Sequence, residues 1–223
     1  MPRSAKPAVP IVPIAQQQLT QAISQLRQGG AREDVLPALE AVLSQLQTLI
    51  THDHLTGALN RRSLIDRLEF ELSRSLRTGH TFTFAVIGID HLPQIMEQHG
   101  QDVTKRVLQI VTQEASAILR TLDSFGRIAA TEFAIVMPTT WLDQSPKAIN
   151  RLKTRFAAVD WDSIAPGLSI SFSTGLTANA PGDSSGQMLA RATAALDKAR
   201  AMGPGNIAQV ETDLPDFDST AAV

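Results

Sequence analysis

The chain has 223 residues, long enough for one complete domain and an extension. Hydrophobic residues make up 43% and charged residues 19%, as in an ordinary soluble globular protein, and no apolar run approaches the about 20 residues of a membrane span. The absence of cysteine excludes disulfides, thiolate metal sites and a catalytic thiol. The formal net charge of -2 gives no bulk attraction for nucleic acid or an anionic membrane. We therefore expect a cytoplasmic protein without nucleic-acid or membrane partners, in which local arginines hold any polyanionic ligand.

The N-terminal region begins with a proline-rich leader. Residues 1–13 carry four prolines and lack the apolar core of a secretory signal, so we expect them to be disordered. Residues 14–52 form a predicted helical region. Within it, the apolar residues of Ile14–Gln28 fall on one face of a short helix, which Gly29 and Gly30 end.

A second N-terminal helix is predicted from Asp34, a possible N-cap, to about Thr51. Its apolar residues alternate spacings of four and three, the a/d pattern of a coiled coil: Val35, Leu39, Val42, Leu46 and Leu49. This pattern predicts a homodimerisation helix over residues 35–51. The alternative is a helix packed on its own domain, because Leu36, Leu43 and Ile50 widen the apolar stripe.

The rest of the chain alternates helical and strand patterns. The predicted helices are Asn60–Leu76, Asp102–Leu119, Pro146–Ala157 and Ser185–Met202. The predicted strands are Thr81–Ile89, Ser124–Ile128, Glu132–Met137, Leu168–Leu176 and Ile207–Val210, of which the second and third form a hairpin. This order predicts an α+β domain with a central, mainly antiparallel sheet flanked by helices. The acidic residues 211–223 are expected to be a disordered tail.

Three segments carry motifs in a fixed order. Residues 53–62 are DHLTGALNRR, residues 126–133 are GRIAATEF, and residues 195–203 are ALDKARAMG. They resemble the opening motif, the signature hairpin and the last helix of the GGDEF family of diguanylate cyclases. The resemblance covers residues 53–210 and implies the nucleotidyl cyclase fold, which is related to the palm of polymerases.

Active members of this family join two GTP molecules into cyclic di-GMP across a dimer, with two divalent metals in each half-site. Those metals need carboxylates, which the family places at the end of the first strand and in the signature hairpin. The resemblance puts Gly88 and Thr131 at these two positions, and neither supplies an anionic oxygen. The signature is degenerate and reads Ala129, Ala130, Thr131, Glu132 and Phe133, with both glycines and the carboxylate replaced.

The other substrate contacts of the family are also replaced. Its guanine-binding Asn and Asp align with Met96 and Lys105, and Arg200 stands at a phosphate-binding Lys. We therefore expect no enzymatic activity, no catalytic residue, no cofactor and no metal. Two acids remain nearby, Asp90 and Glu132. They suggest either a residual one-metal site or, as we favour, a strand-end Asp and a hairpin Glu held by local hydrogen bonds.

A second site of the family is retained. Arg120-Thr121-Leu122-Asp123 lies five residues upstream of Ala129, the spacing of the family's inhibitory Arg-x-x-Asp site, which binds cyclic di-GMP. Arginine offers a planar fork to guanine O6 and N7, and aspartate accepts from guanine N1 and N2. The resemblance adds Arg151 as a second arginine, and Arg127 lies between the pair and the signature. The alternative is an Arg at a helix end and an Asp in a turn, without a ligand.

Two functions are compatible with these residues. The first, which we favour, is an inactive GGDEF domain that binds cyclic di-GMP through Arg120, Asp123, Arg151 and Arg127 and signals to an unidentified protein partner. The second is a ligand-free dimerisation or interaction scaffold. The sequence names no partner and no output pathway.

Overall fold

The computed structural model describes residues 20, 23–24 and 32–212. The chain divides into two compact units, Met1–His54 and Leu55–Val223, each described by itself. The predicted leader, most of the predicted helix Ile14–Gln28 and the tail from residue 213 lie outside the described residues. Within that part of the chain, no helix is both long and apolar enough to cross a membrane.

The first unit contains helix α1, Arg32–Thr51, where a helix from Asp34 to Thr51 is predicted. Pro37 lies inside it, close enough to the N-terminus that few backbone hydrogen bonds are lost. Large apolar side chains remain exposed along the helix: Leu36, Leu39, Leu43 and Ile50. Val42 is buried. The coiled-coil pairing of this helix stays a prediction.

The second unit is a six-stranded sheet flanked by helices. Its strands are β1 (Leu59–Asn60), β2 (Phe82–Ile89), β3 (Ser124–Arg127), β4 (Glu132–Pro138), β5 (Phe172–Ala178) and β6 (Ile207–Gln209). Its helices are α2 (Arg61–Thr78), α3 (Leu92–Ile118), α4 (Ser145–Ala157) and α5 (Ser185–Ala201). The sheet order is β1-β3-β4-β2-β5-β6. The three longer pairings are antiparallel, whereas β1 pairs with β3 and β5 with β6 in parallel. The predicted α+β class is confirmed, with a mixed sheet.

The structure differs from the sequence prediction mainly at irregular backbone. Helix α3 begins at Leu92 instead of Asp102, and its two parts meet at Gly100, whose φ of 84° is non-helical. The first part is too short for a periodicity argument, because its apolar residues Leu92, Ile95 and Met96 span only about one turn. Strand β5 begins at Phe172 instead of Leu168, because Leu168 closes a turn by donating its N–H to Ala165 O. The two-residue strand β1 is too short for any sequence pattern.

The core lies on both faces of β2, whose eight residues are all buried. Alternate residues point to opposite faces. Phe82, Phe84 and Val86 pack with residues of α2 and α5, and Ala85, Ile87 and Ile89 pack with residues of α3 and α4. Gly175 in β5 lets α5 lie directly on the sheet, since a Cβ there would overlap the helix backbone at Ala192 and Leu196. This contact fixes the position of the last turn of α5 over the end of β2.

Candidate functional site

Gly88, the first position where the resemblance calls for a carboxylate, is buried near the end of β2. It pairs with Glu132 of β4 on one side and Ser173 of β5 on the other. A Cβ at this position would overlap the guanidinium of Arg200, with Arg200 Cζ only 2.8 Å away. The space next to Gly88 is therefore filled by an arginine from another element.

Arg200 belongs to the last turn of α5 and forms an ion pair above the strand end. Its Nη1 lies 3.2 Å from Glu132 Oε1 and 3.9 Å from Asp197 Oδ1. Thr131, the second position where a carboxylate is called for, lines the same cleft of about 350 Å³ with Asp90 and His91. The positive charge at this cleft, the guanidinium of Arg200, is therefore already paired with the carboxylate of Glu132.

Asp90 is committed to hydrogen bonds within the protein. The residue is buried, and its carboxylate accepts from Ser171 Oγ, Ser173 Oγ and the Gly205 N–H, each at 2.8 Å. Lys153 Nζ donates to Gly205 O at 2.6 Å. Burial lowers the pKa of Lys153, and the charge of Asp90 opposes that shift. This arrangement matches the local hydrogen-bond interpretation of Asp90. Across the described residues, no three His, Asp or Glu side chains are grouped to hold a metal ion.

Of the five signature positions, Ala129, Ala130 and Thr131 form the turn between β3 and β4, and Glu132 and Phe133 begin β4. Ala129 and Ala130 are exposed, and the N–H of Ala129 donates to Glu132 O at 3.2 Å. Thr131 O accepts from the Ile89 N–H, which ties the turn to β2. Phe133 is fully buried and stacks on Phe125, with ring centroids 5.1 Å apart. Phe133 is therefore a core residue that anchors the hairpin.

Arg120 and Asp123 lie in the tight turn between α3 and β3. The Arg120 N–H donates to Asp123 Oδ2 at 2.9 Å, and the Asp123 N–H donates back to Arg120 O at 3.0 Å. Burial raises the pKa of Asp123, although the Arg120 N–H and the charges of Arg120 and Arg151 oppose the shift. Arg120 itself is exposed. The turn presents a carboxylate with a guanidinium beside it on the surface.

Arg151 reaches this turn from helix α4. Its Nη2 donates to Ile118 O at 3.0 Å, at the C-terminal end of α3, where a cation is favourable. The structure thus brings Arg120, Asp123 and Arg151 together, as predicted. Arg127 does not join them. It lies at the far end of β3, roughly 13 Å of strand from Asp123, and its Nη2 donates to Ala130 O at 2.8 Å.

Some residues of these two regions were not identified from the sequence. Ser171 and Ser173 hold Asp90, and the i, i+2 spacing that puts them on one side of a strand was the available signal. Arg61 Nη1 donates to Ile128 O at 3.2 Å and links the opening motif to the signature hairpin. The position of Arg200 beside Gly88 had no sequence signal, because it depends on how α5 lies on β5.

This sheet order and the hairpin turn agree with the nucleotidyl cyclase fold that the three sequence motifs imply. Residues 50–206 match the family described as "Diguanylate cyclase, GGDEF domain", and the chain belongs to the GGDEF family. Diguanylate cyclase DgcP of Pseudomonas aeruginosa is 34% identical over 159 residues, which cover 71% of this chain and 24% of DgcP. This chain thus spans about a quarter of the length of that curated relative.

Solved GGDEF structures have the same fold. Diguanylate cyclase SiaD from Pseudomonas aeruginosa, in complex with its activator SiaC, superposes with a TM-score of 0.69 at 26% identity, over 91% of this chain and 76% of that one. The GGDEF domain of DgcB from Caulobacter crescentus, in complex with c-di-GMP, superposes with a TM-score of 0.67 at 22% identity, over 71% of this chain and 95% of that one. The expected nucleotidyl cyclase fold is confirmed.

Proposed function

We propose that this chain is a catalytically inactive GGDEF domain that acts as a receptor for cyclic di-GMP. The observation that carries the proposal is the contrast between two arginine sites. Both arginines are exposed, but the guanidinium of Arg200 is paired with Glu132 at the former half-site, whereas Arg120 lies beside Asp123 and Arg151.

The geometry around Gly88 supports the loss of catalysis. Diguanylate cyclase chemistry needs metal-held phosphates and an activated 3′-hydroxyl, and hard divalent cations need carboxylate oxygens. Gly88 and Thr131 provide none, Asp90 is already hydrogen-bonded by three donors, and Glu132 is paired with Arg200. A guanidinium next to Gly88 also repels a divalent cation.

The turn after α3 supports ligand binding without a metal. An arginine fork that contacts guanine O6 and N7 in a bidentate manner is worth about 1–3 kcal/mol. Asp123 can accept from guanine N1 and N2, and two guanidiniums suit the negative phosphates of a cyclic dinucleotide. The GGDEF domain of DgcB, whose fold is similar, was solved in complex with c-di-GMP.

The test is calorimetric titration of the full chain with cyclic di-GMP, followed by GTP with Mg²⁺. We expect saturable heat with the cyclic dinucleotide and none with GTP, because the GTP site lacks its metal carboxylates and base readers. An Arg106→Ala variant is the matched control, since Arg106 is an exposed arginine several turns earlier on α3. If high micromolar cyclic di-GMP gives no heat, the receptor proposal fails.

The alternative is a ligand-free interaction scaffold. It is favoured by the Asp123 carboxylate, which already has a structural role in accepting the Arg120 N–H. The same titration separates the two functions, because a scaffold gives no saturable heat.

The proposed output is a change in association through helix α1, in a homodimer and with an unidentified protein partner. The exposed Leu36, Leu39, Leu43 and Ile50 support this part of the proposal. Burying one such leucine contributes about 1.5–3 kcal/mol. Leu39→Glu should therefore lower the mass seen by light scattering, whereas Gln47→Glu, which adds the same charge at an exposed polar position, should not. A wild-type chain that is monomeric at tens of micromolar contradicts the dimer.

A further inference from the structure

A groove opens at the end of β2 opposite to Gly88. It has a volume of about 580 Å³ and lies between the C-terminal turn of α2 and the loop before α5. Two large apolar side chains in its lining are mostly exposed, Leu76 at 83% and Trp141 at 61%. Isolated exposed apolar residues need no explanation, but two in one concave site indicate a surface for binding.

Hydrogen bonds preform the groove. Asn179 Nδ2 donates to Ser75 Oγ at 2.7 Å, which joins the loop before α5 to the end of α2. Asn179 Oδ1 accepts the Phe82 N–H at 2.8 Å, which joins the same loop to the start of β2. An occupant would therefore meet fixed walls and cause little loss of conformational entropy in the protein.

The C-terminal end of the described chain runs beside this groove. The loop after β4 is anchored twice, by Thr83 Oγ1 donating to Thr140 O at 2.8 Å and by Gln209 Nε2 donating to Leu142 O at 3.1 Å. Trp141 lies between these two anchored residues. Gln209, whose side chain contacts Leu142 next to Trp141, lies only a few residues before Asp213. Residues 213–223 therefore begin close to Trp141 along the chain.

The sequence of residues 213–223 fits the groove. It has two large apolar residues, Leu214 and Phe217, and Phe217 is within about 17 Å of extended chain from Thr212. The remainder is acidic, with Asp213, Asp216 and Asp218, and contains no Lys or Arg.

The last turn of α2 carries the exposed Arg77 beside Leu76. Asp183, an acid in the lining, is already paired with Arg191 at 2.7 Å, so Arg77 next to the lining residue Leu76 is the charge that would meet the acidic segment, and such an attraction is stronger at low salt.

We propose that residues 213–223 dock into this groove of the same chain, with Leu214 and Phe217 as apolar anchors on Leu76 and Trp141. Because the segment is tethered, its effective concentration is in the millimolar range. A contact that would be weak between separate molecules is then sufficient. The segment would act as a built-in competitor for any protein that uses this face.

Tryptophan quenching tests the proposal in the full chain. The chain has two tryptophans, and Trp161 is buried, so acrylamide quenching reports mainly on Trp141. A Leu214→Ser, Phe217→Ser double variant should give a steeper quenching slope and a red-shifted emission. Val223→Ser, in the same segment but away from the anchors, should leave both unchanged.

Variants in the groove give an independent test. Leu76→Gln should steepen the quenching slope and should add nothing further to the double variant. Met202→Gln, an equally non-disruptive change at an exposed methionine near the other end of the sheet, should have no effect. Arg77→Glu and high salt should both act in the direction of release, since each weakens the attraction to the acidic segment.

Two results would overturn the proposal. One is a quenching slope that does not respond to the Leu214→Ser, Phe217→Ser change. The other is a slope that depends on protein concentration, because the occupant of the groove is then a second copy of the chain.

Discussion

The cleft beside Gly88 and the turn after α3 use arginine in opposite ways. In the cleft, Arg200 fills the space next to a glycine and pairs with Glu132. In the turn, Arg120 is exposed beside a carboxylate and a second guanidinium. Both side chains are exposed, so the two arginines differ in their partners: Arg200 is paired with Glu132, whereas Arg120 lies beside the groups that we propose as ligand contacts. The difference lies in the surroundings of each arginine, not in its type.

The strongest test of the comparison is an attempt to restore the cleft. A Gly88→Asp, Thr131→Asp variant should still make no cyclic di-GMP from GTP with Mg²⁺ or Mn²⁺. The carboxylate introduced at position 88 would meet the Arg200 guanidinium, and Met96 and Lys105 still could not bind guanine. The measurement is time-dependent product by chromatography. Product made by the unmodified chain, and lost in Glu132→Ala, would refute the inactive cleft.

The free energy of unfolding should distinguish the role of Asp90 from that of the Arg200–Glu132 ion pair. Asp90→Ala removes the acceptor of three hydrogen bonds, of which the one from Ser173 is buried and the other two are part-buried; a buried donor left unpaired costs about 1–3 kcal/mol, so we expect a loss of at least about 1–3 kcal/mol. Glu132→Ala breaks a partly exposed pair and should cost less than about 1 kcal/mol. Urea unfolding measures both. A wild-type stability that rises with Mg²⁺, but not in Asp90→Ala, would instead support the one-metal site.

The arginine of the turn should dominate ligand affinity. Arg120→Ala should weaken cyclic di-GMP binding about five- to 150-fold, since a bidentate contact is worth about 1–3 kcal/mol and 1.4 kcal/mol is tenfold. Arg151→Ala should cost less, because its guanidinium is already engaged with Ile118 O. Calorimetry ranks the two variants. Unchanged affinity in Arg120→Ala would place the ligand elsewhere.

A smaller effect should appear with pH. Asp123 must be ionised to accept from guanine N1 and N2, and burial raises its pKa in the free protein. The affinity for cyclic di-GMP should therefore fall as the pH drops through this raised pKa. The fall should begin at a higher pH than it would for an aspartate with an ordinary pKa. Titrations across the acidic range would show this dependence. The Asp123→Asn variant should bind cyclic di-GMP more weakly and should lose this pH dependence. A wild-type affinity that does not change with pH would contradict the assigned contact.

Sequence reasoning located the elements whose pattern is local. The helix that starts next to Asn60 and the hairpin of β3 and β4 follow from periodicity and turn length, and the structure contains both. The start of α3 was missed because residues 92–99 form too short a segment for a periodicity argument and precede a glycine with positive φ. Regular structure without an amphipathic face leaves no periodic signal.

The site residues also differ in whether local sequence spacing predicts their grouping. Arg120 and Asp123 are close in sequence, so their grouping was predictable from spacing, and the position of Arg151 came from the family resemblance. Arg127 lies further along β3, because a strand carries successive residues steadily away from a turn, and its part in ligand binding stays a prediction. The contact of Arg200 with Gly88 joins distant segments, and only the packing of α5 on Gly175 reveals it.

That contact has a consequence for the history of the family. Residues 88 and 200 share one volume, so a large side chain at either position restricts the other. Across homologues the two positions should covary, with arginine at 200 accompanied by glycine at 88. The overlap involves only the far end of the Arg200 side chain, so a lineage that regained a carboxylate at 88 would need only to turn this guanidinium aside. The two positions are thereby linked through side-chain orientation, and the link does not by itself fix the order of substitutions.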